Sequence, residues 1–176
     1  MKKQIFIYFY LFLLLAIGFQ SCKSRSQIDN ELLIDRDDQV IRDYLAERKI
    51  NAVKLSSGMY YQKLQSGTGD KPVLGDTVRV HYTGNIIYGY TFDSSRFRDS
   101  PFQFVVGATG TGSVISGWTL ALLDMQVGER GIFFMPSYLA YGASGSPRSQ
   151  TTGVQSIPPN SVLIFDIEFL ELRKRR

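Results

Sequence analysis

The chain is poor in the residues that build metal centres and disulfides: its 176 residues include one cysteine and one histidine. A single cysteine excludes an internal disulfide framework, and a single histidine argues against a zinc site or a histidine triad, so no metal or cofactor is expected. Long hydrophobic runs are also missing. Residues 5–19 form an uncharged apolar stretch of 15 residues, short of the roughly 20 that a bilayer-spanning helix needs. Nor is there a large excess of one charge. Lys and Arg outnumber Asp and Glu by 20 to 16, and setting aside Lys2 and Lys3 leaves 18 against 16. Only residues 173–176 form a basic run, so a nucleic-acid partner is not expected. With 44% hydrophobic and 20% charged residues, the composition is that of one folded domain with accessory segments, not of a disordered or collagen-like chain.

Lys2 and Lys3 ahead of the apolar stretch make the pattern of a signal peptide. Ser21 directly before Cys22, just past the apolar core, is similar to a bacterial lipoprotein cleavage site. That resemblance implies a leader over residues 1–21 and a lipidated Cys22 that holds the mature chain to a membrane. Ordinary secretion and an uncleaved anchor are the alternatives, and all three place the rest of the chain outside the cytoplasm.

Between residues 22 and 57 glycine and proline are absent, whereas 15 of the 16 glycines and all six prolines follow from Gly58 onward. Such a shift divides an arm, residues 22–56, from a turn-rich β domain, residues 57–176. In the arm, Asp37-Asp38 is read as a helix start, with Val40, Ile41, Tyr44 and Leu45 on one apolar face. That helix is docked on its own domain, a spacer, or a dimerisation element; the spacer is favoured. In the domain, Val78, Val80 and Tyr82 alternate on one strand face, as do Phe102, Phe104 and Val106, and then Leu163, Phe165, Ile167 and Phe169. Val127-Gly128-Glu129-Arg130 reads as a turn into a strand over residues 132–135. Ile115, Trp118, Leu122 and Met125 follow helical spacing. The expected fold class is α+β, an antiparallel sheet with one short helix on its face.

Seven short motifs, in order, resemble the FK506-binding-type peptidyl-prolyl isomerase family. They are Val80-His81-Tyr82-Thr83-Gly84, Thr91-Phe92-Asp93-Ser94-Ser95, Pro101-Phe102-Gln103-Phe104, Val114-Ile115-Ser116-Gly117-Trp118, Ala140-Tyr141-Gly142, Ile157-Pro158-Pro159-Asn160 and Val162-Leu163-Ile164-Phe165-Asp166. The arm followed by Gly58-Met59-Tyr60-Tyr61 is similar to that family's lipid-anchored or periplasmic bacterial branch. The resemblance implies a sheet wrapped around one short helix and a shallow proline pocket, with proline-containing polypeptides as partners and macrolides as inhibitors. It implies aromatic walls from Tyr82, Phe92, Phe102 and Phe165, a floor from Trp118, and a rim from Val114 and Ile115, whose backbone N–H meets the substrate carbonyl. Asp93 and Tyr141 match the polar mouth, Ile157 closes the side nearest the last loop, and Arg98 is placed to pair with Asp93.

These residue types suit the chemistry. The prolyl amide rotates over a barrier of about 18–20 kcal/mol set by resonance, and uncatalysed exchange takes roughly 10–100 s. Rotation removes charge separation between oxygen and nitrogen, so a dry aromatic cleft favours the twisted amide over the planar one. Reducing ~100 s to milliseconds is about five decades, or ~7 kcal/mol. Residue by residue, duller readings stand beside these. Aromatic alternation describes any half-buried sheet, and Phe104 is assigned to the core. Asp93 alone could cap the turn through Ser94 and Ser95, and His81, opposite Tyr82 on its strand, reads as structural. The glycine-rich stretch 107–113 reads as a flexible connector that can alter the pocket rim, and 142–156 as a substrate-selecting lip or a tolerated insertion. A non-catalytic chaperone or adaptor that binds proline segments is the alternative function.

Overall fold

Period-two burial along one central strand organises the sheet. In the computed structural model, residues 25–110, 113–149 and 154–176 are described; the predicted leader and Cys22 lie outside the described residues. The elements, in chain order, are helix α1 (Arg25–Glu47), strands β1 (Val53–Lys54), β2 (Tyr60–Gln65), β3 (Thr77–Ile86), β4 (Thr91–Ser94) and β5 (Phe102–Val105), helix α2 (Ser116–Asp124), and strands β6 (Arg130–Met135) and β7 (Leu163–Arg173). Every strand pairing is antiparallel, in the order β1-β2-β6-β7-β3-β4. One edge of β3 lies along β7, and the other is shared by β5 near its start and β4 near its end. The inward row of β3 is Val78, Val80, Tyr82 and Gly84, as its alternation predicts.

Helix α2 lays Trp118, Ala121 and Leu122 into that same core, with Met125 just past its end. The main core joins them to Phe104, Phe133, Leu163, Phe165, Ile167 and Phe169. Gly128, at φ +86°, makes the predicted turn ahead of β6, a backbone setting that glycine reaches without strain.

Helix α1 departs from expectation in two ways. It begins at Arg25, well before the Asp37 start read from the sequence; a stretch without glycine or proline contains nothing to break it. It also docks rather than acting as a bare spacer. Ile41 and Leu45 are buried with Tyr60, Ile87, Phe134, Val162 and Ile164 in a second cluster. Phe133 and Phe134, neighbours on β6, belong to different clusters, so α1 and α2 cover opposite faces of the sheet. The helix ends without a glycine: Lys49 takes φ +55°, and the Ile50 N–H returns to the Leu45 carbonyl at 2.8 Å, a helix stop that glycine usually serves. Two compact units result, Met1–Leu33 and Ile34–Arg176. Of the first, the described residues are the opening turns of α1. The second takes in α1 from Ile34 together with the sheet, so the body carrying the core starts well before residue 57.

Ile41 is fully buried, so Ile41→Ala is expected to lower unfolding stability by about 2–4 kcal/mol, the usual cost of an isoleucine cavity. Denaturant titration checks this; a change below about 0.5 kcal/mol, the level of a surface substitution, would mean that α1 does not pack on the sheet in solution.

Candidate functional site

The inward alternation that builds the core leaves a gap where β3, β4 and β7 meet. Gly84 pairs with Asp93 on β4 and Phe165 on β7. A Cβ at Gly84 would lie 2.5 Å from the Phe92 ring and 2.9 Å from that of Phe165, closer than atoms pack. Its absence lets those two rings meet edge-to-face, 5.6 Å apart at 85°. Trp118 rises from α2 into the same space. Its indole meets Tyr82 at 5.0 Å and 88°, Phe165 at 5.3 Å and 86°, and Phe102 at 5.8 Å and 82°. Such contacts contribute about 0.5–1.5 kcal/mol each beyond area burial. Rings that meet edge-on leave faces uncovered, and here they surround a cavity of about 670 Å³. Tyr82, Phe92, Asp93, Arg98, Phe102, Val114, Ile115, Trp118, Tyr141 and Phe165 all line it, together with Ser113 and Val154.

One polar network stands at the mouth. The Tyr82 hydroxyl donates to Asp93 Oδ2, Arg98 pairs with Asp93 Oδ1, and a second Arg98 nitrogen donates to the Tyr82 oxygen at 3.2 Å. Burial, and then the adjoining Asp93 carboxylate, push the Tyr82 phenol above its ordinary range. Tyr141 is shifted the same way, by burial and then by the Asp93 charge. The strand bearing Asp93 is fastened by its serines. Ser95 Oγ accepts the Tyr82 N–H at 2.9 Å, and Ser94 Oγ donates to the Tyr82 carbonyl at 3.0 Å. His81 Nδ1 lies 3.0 Å from Ser95 Oγ, a structural contact behind the site. At the rim, the Ile115 carbonyl accepts from Trp118 at 3.0 Å, while its N–H meets no backbone acceptor among the described residues.

Of the ten site residues predicted within the domain, nine converge on the cavity. Ile157 does not line it. It is 2% exposed within the main core, and its backbone bridges Ser146 at 2.7 and 2.8 Å; Val154 stands in the wall instead. Phe104 packs behind, stacked 5.4 Å from Phe102. Asp93 does not cap the turn; it faces Tyr82 and Arg98. Ser113 and Val154 were missed by sequence reasoning. Val154 had a signal, as the one branched aliphatic residue in the polar stretch 142–156. That stretch folds back along β4, where the Gln155 N–H meets the Phe92 carbonyl at 2.8 Å, and Ser113 and Val114 bring the end of the 107–113 segment to the rim.

An antiparallel sheet closed on one helix, with an aromatic cleft between them, defines a binding domain for a compact apolar group. Residues 69–170 match the family described as FKBP-type peptidyl-prolyl cis-trans isomerase, and the chain belongs to that family. It is 42% identical over 134 residues to the FKBP-type peptidyl-prolyl cis-trans isomerase FkpA of Aeromonas hydrophila, which covers 75% of this chain and 45% of that protein. It is 40% identical over 119 residues to FK506-binding protein 1 of Candida glabrata, covering 67% of this chain and 96% of the other. The crystal structure of a peptidyl-prolyl cis-trans isomerase from Pseudomonas syringae matches with a TM-score of 0.61 and 32% identity, covering 82% of this chain and 96% of that one. The chain thus spans about half the length of the Aeromonas relative and nearly all of the shorter ones.

The raised phenols predict an alkaline limb. A tyrosine whose folded pKa exceeds its unfolded value of about 10 contributes stability that is complete below that value and lost as pH rises through the folded one. Stability should therefore fall above about pH 10. Tyr82→Phe should make that fall shallower by at most one proton, about 1.4 kcal/mol per pH unit. Denaturation midpoints between pH 8 and 12 test it; an unchanged slope would show that Asp93 does not hold the Tyr82 hydroxyl.

Proposed function

We propose that this chain catalyses cis–trans isomerisation of Xaa–Pro bonds in proteins that fold beyond the cytoplasm. The carrying observation is the ring-lined cavity with its Tyr82–Asp93–Arg98 mouth, set in a domain of the isomerase family. A pyrrolidine ring enters among Phe92, Phe102, Trp118 and Phe165, and the amide lies near the mouth, with the Ile115 N–H as donor to its carbonyl. Water excluded by the rings no longer favours the more dipolar planar amide, so the twisted form gains by comparison. Rotation breaks no covalent bond, and no nucleophile takes part.

The open cavity serves a catalyst and a non-catalytic adaptor alike, and turnover of a proline peptide separates the two. The apolar stretch 5–19 and Cys22 support a lipid-anchored, extracytoplasmic site of action. Among the described residues no helix is long and apolar enough to cross a membrane. Cys22→Ala should abolish incorporation of labelled fatty acid into the protein, and unchanged labelling would refute a lipid on Cys22.

The direct test is a proline-peptide isomerisation assay on the chain from Lys23 onward. A folded sample no faster than buffer would refute the proposal. Phe92→Ala or Trp118→Ala removes at least one ring contact of about 0.5–1.5 kcal/mol plus its apolar area, and should lower kcat/KM by about tenfold or more. A macrolide that fills the cavity should abolish the rate.

A further inference from the structure

Asp37 on α1 is fully buried, in a stretch of sequence that otherwise reads as solvated. Removing a carboxylate from water is costly unless every oxygen finds a partner, and here both do. Oδ1 takes Arg36, through Nε at 3.1 Å and through Nη2. Oδ2 accepts the Ser137 backbone N–H at 2.8 Å and the Ser137 hydroxyl at 2.6 Å. Ser137 opens a short 3-10 helix, Ser137–Leu139, just ahead of Tyr141 in the cavity wall.

The neighbouring arginine reaches a second loop. Arg36 Nη2 donates to the Asn160 carbonyl at 2.7 Å, and the Asn160 N–H donates to the Gly142 carbonyl at 2.7 Å. Adjacent side chains on one helix turn therefore fix the backbone on both sides of Tyr141, at Ser137 and, through Asn160, at Gly142. Tyr141 itself is held by little else. Its side chain is about one-third exposed, and among the described residues its ring meets no other aromatic ring and its hydroxyl has no hydrogen-bond partner. Its place in the wall is set by its backbone, and that backbone is set from α1. The family match begins at residue 69, so this hold comes from a helix outside the matched segment.

We propose that Asp37 is a positioning residue: acting through Ser137, with Arg36 bracing Asn160, it sets where Tyr141 stands at the mouth of the cleft. The proposal rests on the isomerase reading for its kinetic consequence. Small displacements of a positioned group are costly in rate, and a buried carboxylate is costly to leave without its partners, so Asp37 ties Ser137 to a half-exposed Arg36.

The test uses the full chain in mild detergent, with Asp37→Asn, Ser137→Ala, Tyr141→Phe and the Asp37→Asn/Tyr141→Phe double variant, each checked for native circular dichroism. Asp37→Asn should lower kcat/KM about tenfold in the wild-type background and less than about twofold in the Tyr141→Phe background. Equal losses in both backgrounds, or none in either, would overturn the proposal. If Asp37→Asn does not fold, Ser137→Ala, which keeps the backbone N–H, takes its place in the same cycle. A second readout is independent of turnover: the ring signal of Tyr141 in a tyrosine-labelled NMR spectrum, assigned by its loss in Tyr141→Phe, should shift in either variant. An unmoved signal overturns the proposal, whereas a moved signal in a chain without isomerase activity upholds the positioning and refutes the function.

Discussion

Trp118 meets Tyr82, Phe102, Phe104 and Phe165 at centroid distances between 5.0 and 5.8 Å, every one of them steeply inclined. That geometry follows from the ring quadrupole, positive at the edge and negative at the face, and it governs the shape of the site. Rings stacked face to face would fill the space between sheet and helix. Rings meeting edge to face brace one another and leave a hollow. The missing Cβ at Gly84 extends the same logic: it lets Phe92 and Phe165 lie down over the strand and meet each other edge to face.

The hollow persists because both faces of the sheet are covered. On one face α2 supplies the indole; on the other α1 packs Ile41 and Leu45 against Phe134 and Ile164. Since Phe133 and Phe134 are consecutive on β6 and point to opposite faces, the two cores share a strand. The chain leaving β6 runs through Pro136 and Ser137 towards Tyr141, and Asp37 of α1 bonds it at Ser137. The docked arm therefore touches the segment that leads to the cleft.

Local periodicity made much of this readable in advance. The rows Val78-Val80-Tyr82 and Leu163-Phe165-Ile167-Phe169, the helical spacing around Trp118 and the turn at Gly128 depend on neighbours close in sequence, and each stands where its pattern implied. The chemistry of the cleft came from motif order, since alternation alone does not distinguish a ring that lines a cavity from Phe104, which packs behind one. What stayed hidden depends on contacts between distant segments. Asp37 and Asp38 look alike in sequence, yet one is buried against Ser137 and the other is paired with Lys54 and Arg42 near the surface. Ile157, which the resemblance gave to the pocket, is drawn into the core where it bridges Ser146, and Val154, unread in the sequence, lines the cavity. That α1 already runs through residues 25–36 was not legible from its apolar stripe, which starts only at Val40.

A carboxylate beside an apolar cleft needs its own explanation, because an unpaired Asp93 would draw water to the very place from which the rings exclude it. The arrangement around it removes that pull. Arg98 balances its charge, and the Tyr82 hydroxyl takes up its remaining oxygen. The Tyr82 phenol, neutral in the physiological range even at its ordinary pKa of about 10 and pushed higher still by burial and by Asp93, adds no charge. Around Asp93 the polar atoms therefore satisfy one another, and the Asp93–Arg98 pair carries no net charge. On the function proposed above, a prolyl amide in the cleft would meet a surface that solvates its planar, dipolar form poorly, beside an Asp93–Arg98–Tyr82 network already in place. Electrostatic preorganisation at the mouth comes from Tyr82, Asp93 and Arg98, and exclusion of water from the rings behind them.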